Sequence, residues 1–558
     1  MRSLTWFLAA WTLLAGSQQA SAADWYVRPD GGSYGSEDGS DWSNAFDGFA
    51  DVAWSSIACG DTVWVAGGLY TQPLLPQKKC TSASRLQIRR ARADAGAVTS
   101  AAGWSSQLAA TVHMKGAGIT LSGDHDFITV SGRTTASGGG HGWWIDLSGE
   151  TSGSAITFDN GADVDGNTFE YLDLQGPGNV TYTGDGRGMD LTPYAGSGAN
   201  ICSGNTFSHL KIWNWESGVY NVWCDGSVFE YIEEYDLTAV NWSAYHPNGI
   251  FIHSSSDGVV RYSRFRRGSV AGCGEGIFFE QSGGCSNWRI YGNLFHDLDS
   301  TGLKAIHVTS TVTGLRVYNN TFDNIVLPGV FLNGGACGAG SEVKNNLSYA
   351  TSAPSSCGAM SNNLTVPSTP DPFVNRAAKD YHIVGTTGSG YPRNAGTDLS
   401  ALFTTDMDGV AFGADGTWDV GAYEHAAGPV PDGGPAPDSA APKDSAAPKD
   451  SAAPKDSAAP KDSAAPAAPD SAAPKDSAAP GDSAAPGDAA PDSSPATDGL
   501  SDGTRHGDAT TDGSRGDTLG GGCGCEIDGT PATPWWAIAL AAVLACARRR
   551  SRRTEGRR

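Results

Sequence analysis

An all-β solenoid, a single-stranded right-handed parallel β-helix, is the fold class this sequence predicts, and three observations predict it. Glycine is abundant, at 74 of 558 residues, and charged residues are sparse, at 17%. Glycine costs about 1 kcal/mol in a helix interior, so this composition suits many tight turns better than long helices. Second, an Asn-x-Phe unit and its variants recur: Asn167-Thr168-Phe169, Asn205-Thr206-Phe207, Gly226-Ser227-Val228-Phe229, Tyr262-Ser263-Arg264-Phe265, Asn293-Leu294-Phe295 and Asn320-Thr321-Phe322, with Asn346-Leu347 continuing the series. The phenylalanines stand 22 to 38 residues apart, the spacing of stacked units that cannot bury an apolar face alone. Third, the runs between them are short, β-rich and bounded by turn residues, as in Ile250-Phe251-Ile252, Ile277-Phe278-Phe279 and Val330-Phe331-Leu332, and they lack a helical period.

Each unit in turn supports this reading. One Phe per coil would stack inside, and the Asn before it would take a turn, where Asn tolerates the left-handed region. Regular leucine spacing is missing, which disfavours a leucine-rich repeat, and a propeller needs units of about 40 residues. Trp25-Tyr26-Val27 opens the first strand-like run. A helix over roughly 46–57 is expected next, followed by Gly60-Asp61-Thr62-Val63-Trp64-Val65-Ala66-Gly67-Gly68-Leu69-Tyr70. The last motif of the folded part is Asp419-Val420-Gly421-Ala422-Tyr423-Glu424. The predicted organisation is a leader at 1–22, an N-terminal cap and first coils at 23–110, a β-helix at 111–425, a stalk at 426–522 and a tail at 523–558.

The ends set the compartment. Arg2, the apolar run Leu4 to Leu14 and the small residues Ala20-Ser21-Ala22 make a secretory leader with its cleavage site. Between Asp438 and Asp488 the chain is close to a tandem repeat of Asp-Ser-Ala-Ala-Pro-Lys. Such a disordered Pro/Ala/Ser/Asp/Lys stalk cannot bury enough surface to offset its ordering entropy. It would reach about 250–300 Å if fully extended. Cys523-Gly524-Cys525 then precedes a short apolar run, Trp535 to Ala547, and a cluster of arginines from Arg548. The run is short for a hydrocarbon core of about 30 Å, and its arginines would stay on the cytoplasmic side. A formal net charge of −23 repels nucleic acid and anionic lipid, so no nucleic-acid partner is expected, and membrane contact only through the C-terminal segment.

Two resemblances follow from these motifs. The opening Gly60–Tyr70 motif, the expected capping helix and the closing Asp419–Glu424 motif resemble secreted bacterial parallel β-helix proteins of the pectate-lyase-like superfold, over about residues 24 to 424. That group contains lyases, hydrolases, epimerases, phage tailspikes and plain surface proteins, so the likeness implies fold and not activity. The tail resembles the C-terminal sorting signal of myxobacterial surface proteins. That resemblance implies an outer-surface location on a Gram-negative cell, export machinery and a sorting protease as partners, and Cys523 or Cys525 as the processing site.

Eight cysteines fall in close sequential pairs: Cys59 and Cys80, Cys202 and Cys224, Cys273 and Cys285, Cys337 and Cys357. In an exported protein an even set suggests disulfides. No zinc-ligand spacing is visible.

Aligning coils on their Gly-hydrophobic-x-hydrophobic strands places Asn248, Glu275, Lys304 and Pro328 in one column, and His253, Glu280, Thr309 and Asn333 in another. A slip of one residue would turn each side chain to the other face. In this register Asn248, Glu275 and Glu280 are candidate oxygen ligands for Ca2+, the one cofactor considered. Lys304, His253 and His307 are candidate bases for removing a proton from an acidic sugar, with Arg316 or Arg289 to assist. The chondroitinase-like lyases are similar in using an Asn and acids for calcium with a Lys and an Arg, but their second acid would fall on Ile277. An ordinary surface ion pair between Glu275 and Lys304, worth under about 1 kcal/mol, is the bland alternative. Trp213, Trp215, Trp223, Trp242 and Tyr245 are candidate sugar-stacking residues, with a place in the coil interior as the alternative. Three functions remain open: a surface-anchored β-helix protein contacting extracellular polysaccharide, a calcium-dependent polysaccharide lyase or a glycoside hydrolase, and a structural envelope protein.

Overall fold

The computed structural model describes residues 22–425, except 160, 162, 179–185, 194–201, 238–246, 267–274, 281–283, 299–303 and 334–335. The leader, stalk and tail therefore lie outside the described residues, as do Trp242, Tyr245, Cys273, Cys523 and Cys525. Among the described residues no helix is long and apolar enough to cross a membrane.

Three strands make a typical coil. Val259–Arg261 and Arg264–Arg266 belong to a 22-stranded sheet, and Glu275–Phe279 belongs to an eight-stranded sheet. Tyr262, with φ of 53°, turns the chain between the first two strands. Each strand pairs in parallel with its counterpart one coil on; Val260 faces Ile290 and Phe265 faces Phe295. Parallel strands stacked coil on coil, about 4.8 Å apart, are a parallel β-helix.

The recurrent phenylalanines do stack inside, but in two columns. Phe169, Phe207 and Phe229 form one, with ring centres 5.5 and 5.2 Å apart. Phe265, Phe295 and Phe322 form the other, at 4.9 and 5.3 Å. All six are essentially inaccessible.

The asparagines correct the expectation that they occupy turns. The left-handed position is the residue before each of them: Gly166, Gly204, Gly292, Asn319 and Asn345. The Asn that follows points inward, and its side chain bonds to the backbone of the preceding coil. Asn320 Oδ1 accepts from the Asn293 backbone N–H at 3.0 Å, and Asn346 Oδ1 accepts from Asn320 N–H at 3.0 Å. Asn320 Nδ2 donates to Ile290 O at 2.9 Å. The ladder thus satisfies backbone groups that the corner would leave unpaired.

The expected capping helix is not formed. Phe46 and Asp47 pair in parallel with Val27 and Arg28, and the following residues run as turns up to Ile57. Phe49, Val52, Trp54 and Ile57 still plug the open end, buried in the main core, and Phe49 stacks on Tyr70 at 4.4 Å. The coils begin at Asp24, whose strand pairs with Thr62–Val65.

At the other end the chain turns back over the outside of the large sheet. Phe403, Met407, Trp418, Val420 and Tyr423 form a second core with Tyr262, Tyr291, Tyr318 and Tyr349. Asn319 Nδ2 donates to Asp419 O at 2.9 Å, so the closing motif is tied to the coil corners.

The disulfides are Cys59–Cys80, Cys202–Cys224 and Cys337–Cys357. Cys202 and Cys224 lie in register on adjacent coils. Cys285 departs from the expected pairing: it is a free, buried thiol whose strand pairs with Val312, and burial pushes its pKa up.

Candidate functional site

The eight-stranded sheet carries the candidate residues. Its later strands are Ser217–Val222, Asn248–His253, Glu275–Phe279, Lys304–Val308 and Val330–Leu332. Ile250, Ile252, Ile277 and Ile306 fill the interior. Asn248 pairs with Glu275 and Glu275 with Lys304, the register expected from the sequence. A small residue, Gly249, Gly276 or Ala305, follows each member of this column for a physical reason. A Cβ at Gly249 would stand 2.3 Å from Gly276 O and 2.7 Å from Glu234 Oε1, so the close approach of coils at this corner requires its absence.

Outside this corner the side chains form three columns. The first includes Asn248, Glu275 and Lys304. In the second, Tyr220 pairs with Phe251, Phe251 with Phe278, Phe278 with His307 and His307 with Phe331. The third begins with Val222 opposite His253. Glu280 and Thr309 extend it through backbone bonds to Ile252 O and Phe279 O.

Glu275 is the centre of the first column. Its Oε1 is 3.1 Å from Lys304 Nζ and 3.1 Å from His307 Nδ1. Burial alone would raise the Glu275 pKa, but the hydrogen bond from His307 and the charge of Lys304 prevail and hold it below the usual carboxylate range. The pair is buried, unlike the exposed ion pair of the bland reading. Lys304 Nζ also sits 5.9 Å over the Phe331 ring. Among the described residues two acceptors in this column lack a donor: Asn248 Oδ1 and Glu275 Oε2. Both residues are buried, at 2% and 5% exposure, where an unpaired acceptor costs about 1–3 kcal/mol.

The aromatic column is packed against itself. Tyr220 lies face to face with Phe251 at 3.9 Å, and Phe278 stacks on His307 at 5.0 Å. Phe251 and Phe278 meet edge-on at 5.6 Å and are each 8% exposed, so their faces are spent within the column. Arg187 covers Tyr220 at 3.8 Å and is held by Asp190.

The structure separates several residues expected to act together. Arg316 lies on the large sheet, paired in register with Arg289 and Glu342, so it does not join Lys304. Glu280 stands five residues beyond Glu275, about 16 Å along the strand direction. Its Oε2 is 3.3 Å from His253 Nε2, and burial lowers the His253 pKa while Glu280 opposes the shift. Trp215 is a core residue, inaccessible, with Nε1 donating to Leu174 O at 3.0 Å. Trp213 is half-buried on the large sheet, parallel to Tyr235 at 5.9 Å. Trp223 is half-buried with φ of 57°, its ring edge-on to His253 at 5.9 Å. Sequence reasoning named Tyr220 among the aromatics near the tryptophans but missed Phe251, Phe278 and Phe331 as an outward column; the one-residue offset of Phe251 and Phe278 from the interior isoleucines Ile250, Ile252 and Ile277 was the available signal.

The set does not fit a calcium cage. Calcium takes six to eight oxygen ligands. Among the described residues this column offers two donor-less oxygens, Ile277 is in the core, and Lys304 already neutralises Glu275. Asp415, Asp419 and Glu424 bring their carboxylates together elsewhere. There the oxygens are engaged: Asp419 accepts from the backbone N–H of Asn394 and His425, Glu424 from Gly413 and Asp419, and Asp415 pairs with Arg393. Burial raises Glu424 to about 8 and Asp406 to about 7.

Fold and strand pairing define the class: a parallel β-helix protein. No family model matches the chain, and no curated protein matches it. Among solved structures it is similar to pectate lyase Pel9A, at 16% identity over 73% of this chain and 97% of that chain, with a TM-score of 0.38. It is also similar to a GH136 lacto-N-biosidase from Eubacterium ramulus, at 10% identity over 62% and 68%, with a TM-score of 0.36. A rhamnogalacturonan lyase matches at 12% identity over 61% and 87%, with a TM-score of 0.34. These likenesses are coarse, and the fold rests on the strand pairing above.

Proposed function

We propose that the protein binds extracellular polysaccharide on the outer face of the eight-stranded sheet. The observation that carries this reading is the pair of buried, donor-less oxygens, Asn248 Oδ1 and Glu275 Oε2, in register on adjacent coils. Such acceptors call for hydroxyl donors, which a sugar presents in rows, and direct hydrogen bonds to them regain the cost of their burial. Lys304 and Arg187 are paired with Glu275 and Asp190, so this face presents matched charges with acceptors to spare, not net positive charge. The half-buried Trp223 and Phe331 offer apolar contact at the margins. The leader, stalk and sorting tail would carry this face to the outside of the cell and hold it at reach.

The test is retention of the protein on a panel of neutral and acidic polysaccharides, with calcium and with a chelator. Binding to one polymer that persists in chelator and weakens at least tenfold in Asn248→Ala supports the reading. Absence of retention on the whole panel, or retention unchanged in the variant, contradicts it.

A second reading, a polysaccharide lyase, is favoured by the Glu275–His307–Lys304 cluster. His307, oriented by Glu275, would be the base that removes the proton beside the sugar carboxylate, because Lys304 is committed as a cation to Glu275. Appearance of ultraviolet-absorbing unsaturated ends that requires His307 would establish this second reading.

A further inference from the structure

Asp61 is a buried carboxylate without a counter-ion. It is 5% exposed. Its Oδ1 accepts from the backbone N–H of Ala23 at 2.9 Å, and its Oδ2 accepts from Trp25 Nε1 at 2.9 Å and the Ala58 N–H at 2.8 Å. Among the described residues no cationic side chain pairs with it. Arg85, which lines the same open cavity as Ala22 and Asp61, spends its guanidinium on Thr129, Thr168 and Ile128 O. A buried carboxylate is costly unless it is paired as well as hydrogen-bonded. The position that Asp61 grips is therefore informative. Ala23 follows directly on Ala20-Ser21-Ala22, the small-x-small stretch that closes the leader. Ala23 is also fixed on its other side, where its carbonyl accepts from Thr62 N–H at 2.9 Å.

The geometry points to Asp61 as the receptor for a newly made N-terminus: cleavage of the Ala22–Ala23 bond places the α-ammonium of Ala23 on the Asp61 carboxylate. A leader peptidase hydrolyses the peptide bond with water. The C–N bond breaks, Ala22 leaves as a carboxylate, and the Ala23 amine takes a proton. The backbone N–H that already donates to Asp61 Oδ1 becomes an ammonium at the same place, so one neutral hydrogen bond becomes a charge-assisted one. Three consequences follow. The leader-bearing chain lacks the ion pair, the mature chain has it, and the hydrogen bond that already holds the start of the first strand, Asp24–Arg28, becomes charge-assisted on cleavage. The groups facing the new ammonium are Asp61 and, one residue along, Asp24, whose carboxylate accepts from Trp64 Nε1; Arg85 borders the cavity.

The experiment uses the full chain exported with its own leader. Mass spectrometry identifies the first residue of the exported protein, which is expected to be Ala23. Thermal melts then compare this protein with one carrying a single extra glycine before Ala23, each with Asp61 and with Asp61→Asn. The extension is expected to lower the melting temperature by about 3 °C or more with Asp61, and to change it little with Asn at that position. The α-amino group ordinarily titrates near 7.7–8.0, and the ion pair raises that value in the folded chain. The gain from the native terminus is therefore complete below about pH 7.5 and lost as pH rises through the raised value. Should Asp61→Asn fail to accumulate, this pH profile in the Asp61 background decides. A different first residue, equal melting of native and extended chains, or a difference that persists at alkaline pH would overturn the assignment.

Discussion

Asn320 and Asn248 are the same residue type on the same solenoid, and they show what distinguishes its corner ladders from its outer face. Asn320 is enclosed, and its amide serves two backbone groups of the preceding coil and the Asn346 side chain of the following one. Asn248 is as deeply buried, yet its Oδ1 has no donor. The glutamates repeat the contrast with the sign of charge reversed. Glu234 is in the interior against the glycine column, with no compensating cation among the described residues, and burial raises its pKa well above the carboxylate range. Glu275, on the outer face, is paired with Lys304 and His307 and stays charged. Interior polar groups are therefore either fully bonded or neutral. The outer face keeps a charged cluster with acceptors left over, the arrangement on which the proposed binding rests.

The largest effect that would sharpen this comparison belongs to the interior. Phe295→Ala removes a ring stacked between Phe265 and Phe322 and is expected to cost about 3–5 kcal/mol in denaturant unfolding. Glu275→Gln comes next, at about 3 kcal/mol near neutral pH, because Lys304 loses its buried partner. The Glu275 pKa is depressed in the folded state, so this loss is present above about pH 4.5 and disappears as pH falls through the folded value. A cost for Glu275→Gln that persists at low pH would break the charge argument. Asn320→Ala strands the Asn293 N–H and the Ile290 carbonyl, and is expected to cost about 2–3 kcal/mol.

Glu234→Gln carries the opposite sign. The folded chain holds a proton there that the unfolded chain releases above about pH 4.5. Stability from this group is complete below that pH and declines as pH rises. The substitution should raise the melting temperature at neutral pH and leave it little changed at pH 4. The closing segment adds to the same decline, since Asp406 and Glu424 keep their protons up to about 7 and about 8. Melts of the unsubstituted protein should therefore weaken from about pH 5 to pH 8. The smallest stability effect is Asn248→Ala, under about 1 kcal/mol.

Much of this arrangement was legible in the sequence. The phenylalanine spacing marks the solenoid because each coil must stack its apolar residue on the next. The small residue after each column member, Gly249, Gly276 and Ala305, fixed the register of Asn248, Glu275 and Lys304, since only a small side chain fits at that corner. Other features were hidden for equally physical reasons. Trp213 and Trp215, two residues apart, would share a face on a regular strand; Asn214 between them has φ of 61° and turns the chain, so one faces out and the other fills the core. Phe46, Phe49 and Val52 have the three-residue spacing of a helix, yet they plug the open end from a strand and turns. Arg316 looked like a partner for Lys304 because sequence distance does not reveal which wall of a coil a strand builds.

The most direct test of the central claim compares the unsubstituted protein with Asn248→Ala on the polysaccharide it retains best, with binding and melting measured on the same samples. Affinity reduced at least tenfold, about 1.4 kcal/mol, with an almost unchanged melting temperature, is the predicted result. Equal affinity in the two proteins would contradict the assignment of this face as the ligand site.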